Sequence, residues 1–310
     1  MSLIVTGTIG IDTVHTPDGT ERKDVLGGSC TYFAAAASFY TGVRMVAAVG
    51  DDFPDDHRQT LAAFPKIDTA GLETRAGSKT FRWGGKYMAD MDHRETLFTE
   101  LGVLEEAPPP VPAAFRDSEF VFLANSHPAV QMGMLEALPS RKLVVADTMD
   151  LWINIAKDEL IALLGKVDGL VLNFDEAELF TGIKNTVAAG RKLLEYGPRF
   201  VVVKKGEHGA ILIHQDGIAA LPAYPTEKVV DPTGAGDSFA GGMMGHIARE
   251  GATGHQADPG AFRTIRQALA HGTVIASFNI ESFSLDRLKK LQTNEIDERY
   301  EQYVRMVRVD

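Results

Sequence analysis

Residues 229–245 read VVDPTGAGDSFAGGMMG, a glycine turn set between an apolar pair and an amphipathic run. Gly234, Ala235 and Gly236 leave room for close approach to the backbone, and Phe239, Met243 and Ile247 recur every fourth residue as one helix face. The first N–H groups of such a helix lack intrahelical partners and carry the positive end of its dipole, so they suit an anion such as phosphate. Asp237 puts a carboxylate at the rim of that anion site. Helix capping is the ordinary explanation for such a residue, but the glycines around it favour a role toward a ligand. Gly241, Gly242 and Gly245 lie inside the helix, each costing about 1 kcal/mol relative to alanine, which points to close approach by backbone or ligand.

Other stretches carry related chemistry. Asn173, Asp175 and Glu176 lie at a strand-to-helix turn, where an amide and carboxylates can hold phosphate-bound magnesium directly or through water, or simply cap the helix. Residues 204–209, KKGEHG, place Gly206 and Gly209 after an apolar strand, so that Lys204 and the backbone either line a nucleotide or form an ordinary turn. Gly27 and Gly28 precede an alanine-rich helix and serve either close approach of a substrate or tight helix packing. Asp12, Asn125 and Asp147 fall at strand ends, and ligands of open parallel sheets collect outside the C-terminal strand ends.

Rival motifs fail on spacing. Residues 71–80, GLETRAGSKT, have the flavour of a P-loop, but Ser78 interrupts the Gly-Lys step; Phe239 stands where a dinucleotide fingerprint needs glycine. No paired histidine spacing suggests a metal site, and no Gly-x-Ser-x-Gly elbow suggests a serine hydrolase.

The elements that must position these residues alternate. Apolar runs at 3–7, 45–49, 120–124, 143–146, 170–173 and 200–204 read as buried strands, with helices at 31–40, 55–64, 130–138, up to 164, 176–180 and 187–196. Residues 210–213 and 218–221 form a hairpin around Asp216-Gly217. Val229 and Val230 end a further buried strand that Pro232 stops, and the next helix begins at about Asp237. Residues 261–278 make a largely apolar helix, and 285–307 a charged amphipathic tail. Two segments break the rhythm: the polar excursion 13–25, and 79–99, which mixes aromatic and charged residues around Gly84-Gly85 like a β-hairpin. The expectation is one α/β domain over 1–310, a central mostly parallel sheet between helices, with a small β lid formed from about 13–25 and 79–99.

The totals limit the partners. The chain has 310 residues, and its net charge of −11 with dispersed basic residues argues against nucleic acid or anionic membrane as a partner. Cys30, the single cysteine, rules out an intramolecular disulfide and is read as a small buried residue; with no secretory leader and no apolar run of about 20 residues, the expected location is the cytoplasm.

The run DPTGAGDSFAGG resembles the C-terminal signature of the ribokinase, or PfkB, family of small-molecule kinases. Asp12, Gly27-Gly28, Gly50-x-Asp52, Asn173-x-x-Glu176, Gly206-x-x-Gly209 and Ala270-His271 support it. The resemblance implies a ribokinase-like fold and transfer of the ATP γ-phosphoryl group to a hydroxyl, expected to be a primary alcohol, of a sugar or sugar-like molecule. A nucleoside or inositol kinase is the alternative, and a non-catalytic nucleotide- or sugar-binding regulator the alternative from another class. It implies Asp237 as catalytic base, Gly234, Ala235 and Gly236 as anion hole, and Asp12, Gly27 and Gly28 as acceptor site. Asn173, Lys204, Gly206, Gly209, Thr233 and His271 would bind nucleotide, and Glu176 magnesium, directly or through water. A monovalent cation and a homodimer through the lid stay open. Three positions depart from the family pattern: Tyr32 replaces an asparagine, Asp147-Thr148-Met149 lacks one, and Lys204 replaces a threonine.

Overall fold

The computed structural model describes residues 2–254 and 258–308. Its strands, numbered in chain order, divide between two sheets. The large sheet holds β1 (Leu3–Thr6), β4 (Val43–Gly50), β5 (Ile67–Arg75), β8 (Phe120–Leu123), β9 (Leu143–Asp147), β10 (Gly169–Asn173), β11 (Phe200–Lys204), β12 (Ala210–His214) and β13 (Gly217–Leu221). Its order is β13-β12-β11-β10-β9-β8-β1-β4-β5. From β11 to β5 all neighbours pair parallel, and the hairpin β12–β13 adds an antiparallel edge.

These strands read as continuous apolar runs because both faces are covered. Successive residues point to opposite faces: Leu3 and Val5, Phe120 and Phe122, and Phe200 and Val202 enter one core, while Ile4, Val121 and Leu123, and Val201 and Val203 enter the other. The first core is closed by α1 (Ser29–Ala37), α2 (Asp55–Ala62), α8 (Ala235–Ala252), α9 (Phe262–Asn279) and α10 (Thr293–Val307). The second is closed by α3 (Pro128–Glu136), α5 (Lys157–Leu164), α6 (Phe174–Thr181) and α7 (Thr186–Leu194). Burial of each such Leu, Ile, Val or Phe contributes about 1.5–3 kcal/mol, which gives the sheet its rigidity. The interior glycines of α8 are explained by packing: a Cβ at Gly242 would lie 2.9 Å from His271 O of α9, one at Gly245 3.0 Å from Ala37 Cα of α1, and one at Gly241 would overlap Phe33 O. The close approach is therefore of backbone to backbone.

The second sheet, in the order β3-β2-β6-β7, holds β2 (Gly10–His15), β3 (Glu21–Gly27), β6 (Phe81–Tyr87) and β7 (Arg94–Glu100). It is joined to the strand ends of the large sheet: Gly50 N–H donates to Thr80 Oγ1 at 3.0 Å, and Thr80 N–H to Asp52 Oδ1 at 2.7 Å.

Four expectations need correction. Val229 and Val230 form no strand; Val230 lies in a bend and its N–H is taken by Ile280 O at 2.8 Å, at the end of α9. The helix after the glycine turn starts at Ala235, with Gly234 as its cap, instead of at Asp237. The helical stretch up to residue 164 is two helices, α4 (Asp150–Ile155) and α5, parted at Ala156, whose backbone leaves the helical region. Residues 67–75 add an edge strand, β5, whose mostly polar, exposed pattern gave no apolar run to recognise.

Candidate active site

The glycine turn is built by Gly234 at φ 75, a left-handed conformation that favours glycine, and a Cβ there would also overlap the Tyr32 ring of α1. The Ala235 N–H is taken by Pro232 O, but the N–H groups of Gly236 and Asp237 meet no carbonyl among the described residues. They are the unsatisfied donors a helix start offers an anion. No side chain caps α8, so Asp237 is free of the structural duty that usually accounts for such a residue. Its half-buried carboxyl is pushed up to about 7 by burial and then by Asp147, with Lys204 and Arg94 working in the opposite direction.

Lys204, at the end of β11, enters this ring of acids. Its Nζ lies 3.8 Å from Asp147 Oδ2 at the end of β9, and a Cβ on Gly236 would stand 2.8 Å from the same nitrogen. Burial works against the ammonium, yet Asp147 foremost, with Glu176 and Asp237, holds it above the usual lysine value. Asp147 is itself raised by burial, opposed by Lys204, and its Oδ1 accepts Thr148 N–H at 2.8 Å.

Asn173 and Glu176 form a reciprocal cap on α6: Glu176 Oε2 accepts Asn173 N–H at 2.7 Å, and Asn173 Oδ1 accepts Glu176 N–H at 2.8 Å. The capping alternative is thus real, but it uses one carboxylate oxygen. Burial, then Asp147, pushes the Glu176 carboxyl up to about 8. Among the described residues no group of three or more His, Cys, Asp or Glu side chains could hold a metal ion alone. The donor set fits a magnesium ion held chiefly by phosphate and water, with one buried carboxylate oxygen at its edge.

Asp12 belongs to β2 of the small sheet and not to the end of β1. Its carboxyl fills the space a side chain at Gly27 would need, its Oδ1 has no partner, and burial, followed by Asp231 and Asp237, raises it to about 8. Gly28, at φ 94, carries the chain into α1 against Ile9 Cα. The Tyr32 hydroxyl is also buried without a partner, and its pKa is raised by burial and then by Asp231 and Asp12. Orphaned polar atoms on Asp12, Tyr32 and Asp231 therefore flank the glycine turn. Such groups are costly unless a ligand satisfies them.

Thr233 is fully engaged: its N–H donates to Asp231 Oδ1 (2.9 Å), its carbonyl accepts from Asn279 Nδ2 (2.9 Å), and its hydroxyl meets the Tyr87 hydroxyl of β6 (3.1 Å). Gly206 and Gly209, at φ 53 and 86, turn the chain from β11 into β12. Asn125 is committed elsewhere, accepting from Trp152 Nε1 at 2.8 Å.

His271 is not brought to this cluster. Its ring is stacked between His246 (3.8 Å) and Tyr300 (4.1 Å), and burial and His246 depress its pKa to about 2. Asn279, which touches the turn through Thr233, lies eight residues further along α9, about 12 Å at the helical rise. Sequence reasoning missed Tyr87, Asp231 and Asn279. Asp231 was in view within the motif; Tyr87 meets Thr233 across 146 positions of sequence and left no local signal.

Residues 4–290 match the family model described as pfkB family carbohydrate kinase. A cytidine kinase of Thermococcus kodakarensis is 29% identical over 255 residues, covering 80% of this chain and 89% of that protein. Among solved structures, a ribokinase of Giardia lamblia superposes with a TM-score of 0.80 at 17% identity, covering 97% of this chain and 99% of that one. A nucleoside kinase of Methanocaldococcus jannaschii gives 0.75 at 20% identity, covering 97% and 98%. These likenesses establish the ribokinase-like α/β fold.

Proposed function

We propose a division of labour within this chain, which belongs to the pfkB family of carbohydrate kinases and is an ATP-dependent phosphotransferase acting on an alcohol group of a sugar or nucleoside. Asp237 takes the proton of the acceptor hydroxyl, whose oxygen then attacks the γ-phosphorus of ATP as the bond to ADP breaks. A base with a pKa near the working pH combines the right protonation state with a useful driving force. The free N–H groups of Gly236 and Asp237, with the Lys204 ammonium, meet the charge on the phosphoryl oxygens.

Asp12, with Gly27 and Gly28 behind it, holds the acceptor hydroxyls. Asn173 and the Gly206–Gly209 turn border the nucleotide, and Glu176 supports magnesium directly or through water. When bound, magnesium neutralises phosphate charge and aligns the ATP chain. The small sheet acts as a lid: Tyr87 on Thr233 seats it on the glycine turn, excluding water from the transfer. The observation that carries this reading is the Asp237 carboxyl, free of capping and raised to about 7, beside the N–H groups of Gly236 and Asp237, which meet no carbonyl among the described residues.

A nucleoside is the second reading for the acceptor, favoured by the cytidine kinase relative. ADP formation across a panel of sugars, nucleosides and inositols tests both readings. Acceptor-dependent ADP release with one class is expected; release unaffected by every acceptor contradicts phosphoryl transfer to an alcohol.

A further inference from the structure

Tyr32 spans the two halves of the site. Its N–H donates to Gly28 O at 3.3 Å, one helical turn back in α1, and the adjoining Gly27 is the residue whose missing side chain makes room for the Asp12 carboxyl. At its other end the ring lies against the glycine turn and fills the space that any side chain at Gly234 would need. The side chain thus runs from the acceptor side, at Gly28 and Asp12, to the turn that carries Asp237. An asparagine at this position would end short of that turn, whereas a phenol reaches it and brings a single hydroxyl in place of an amide.

That hydroxyl has no duty the fold explains. Tyr32 is 1% exposed, yet among the described residues its hydroxyl oxygen meets no hydrogen-bond partner. Asp12, 4% exposed, leaves Oδ1 in the same condition, so the two groups do not satisfy each other. They are nonetheless neighbours: after burial itself, Asp231 and then Asp12 hold the phenol well above its ordinary pKa. The phenol therefore keeps its proton and is a donor. The other phenol at this crossing differs in being spent, since the Tyr87 hydroxyl meets Thr233 Oγ1 at 3.1 Å. An unpaired buried hydroxyl is destabilising, and phenylalanine would fill the same space without that cost. Packing accounts for the ring of Tyr32 and not for its oxygen.

We propose that Tyr32 is a specificity-determining residue that touches the acceptor: its hydroxyl donates to a second acceptor hydroxyl, distinct from the one phosphorylated, and that hydroxyl donates in turn to Asp12 Oδ1. The inference rests on the phosphoryl-transfer reading above. A hydroxyl is the group this pair requires, because it accepts one hydrogen bond and gives another. A deoxy carbon in its place leaves both protein groups buried and unpaired, and a site built to bond a hydroxyl rejects the analogue that lacks it. The acceptor is thereby narrowed to a polyhydroxylated molecule that is read at a hydroxyl it does not lose to phosphorylation.

Tyr32→Phe tests this, because it removes one oxygen and leaves the ring against Gly234. Thermal unfolding of the ligand-free proteins is measured together with kcat, acceptor KM and ADP affinity. The acceptors are the best substrate of the sugar, nucleoside and inositol panel and its monodeoxy congeners, such as 2-deoxyribose beside ribose, or 2′- and 3′-deoxycytidine beside cytidine. The variant should unfold at the wild-type temperature or up to about 4 °C above it, since an unpaired buried group is gone. Acceptor KM should rise about 10- to 100-fold, with kcat within about threefold and ADP affinity within about twofold. For one deoxy congener, the wild-type preference in kcat/KM for the full acceptor should shrink by about the factor that KM rises, as coupling between the Tyr32 oxygen and that hydroxyl requires. An unfolding temperature lowered by several degrees would give the hydroxyl a structural partner and overturn the proposal. So would an unchanged acceptor KM, or a raised one with the preference over every deoxy congener intact. A wild-type protein that turns over no acceptor would instead sink the phosphoryl-transfer reading itself.

Discussion

Lys204→Met exchanges a buried ammonium for an apolar side chain of similar length, and the acids around it set the size of the effect. With Nζ 3.8 Å from Asp147 Oδ2 and an effective dielectric constant of about 20, the attraction is about 4 kcal/mol. The pH dependence has a definite sign. Asp147, Glu176 and Asp237 all have folded pKa values raised above the ordinary carboxylate range by burial, and Lys204 pulls each of them down. A carboxyl whose folded pKa is raised destabilises the fold as pH climbs above its unfolded value, and the penalty is complete above its folded value. Removing Lys204 raises these values further and enlarges that penalty. The variant should therefore lose about 3–5 kcal/mol of stability at pH 8, as expected when one partner of a buried pair is deleted. At pH 4 the Glu176 and Asp237 carboxyls, raised to about 8 and about 7, are neutral in the folded protein and the deficit should shrink markedly. Urea denaturation of both proteins at the two pH values measures the difference. An equal deficit at pH 4 and pH 8 would refute the electrostatic account and leave lost packing as the cause.

Glu176→Gln keeps an oxygen to accept Asn173 N–H, so the cap on α6 should survive while the magnesium requirement for half-maximal rate rises about 10-fold or more; an unchanged titration would return Glu176 to capping alone. Gly234→Ala forces alanine to φ 75 and into the Tyr32 ring, and a loss of at least about 1–3 kcal/mol in thermal unfolding is expected together with loss of turnover. Saturating acceptor should slow amide hydrogen exchange in β6 and β7 if the small sheet closes on it, whereas equal exchange with and without acceptor would remove the lid from the account.

The sequence was most legible where structure is local or buried on both sides. β11 ends where its apolar run ends, because every residue from Phe200 to Val203 is buried and Lys204 turns toward the acids. The glycine turn and the Asn173–Glu176 cap are short-range devices and kept their spacing in three dimensions. Val229 and Val230 look like strand residues but are tied to the end of a helix, a pairing that alternation of side chains cannot reveal. β5 escaped notice because it is an edge strand of mostly polar residues, with Gly71 alone buried. The resemblance puts His271 at the nucleotide, whereas its direction around α9 is set by packing on His246 and Tyr300. Tyr87 and Arg94 depend on a cross-strand register that a bulge between Gly84 and Gly85 adjusts, and no spacing in the chain encodes that register.

The most direct test of Asp237 as the base is the pH dependence of kcat/KM for the acceptor, compared between the wild type and Asp237→Asn. Because the Asp237 carboxyl is raised to about 7, the wild-type value should fall about tenfold per pH unit on the acid side of neutrality. The asparagine variant, which can accept no proton, should lose that limb along with about 10² to 10⁴ in rate, while its unfolding temperature at pH 8 stays at or above that of the wild type. A wild-type limb near pH 4, or the same limb at near-normal rate in Asp237→Asn, would contradict the assignment.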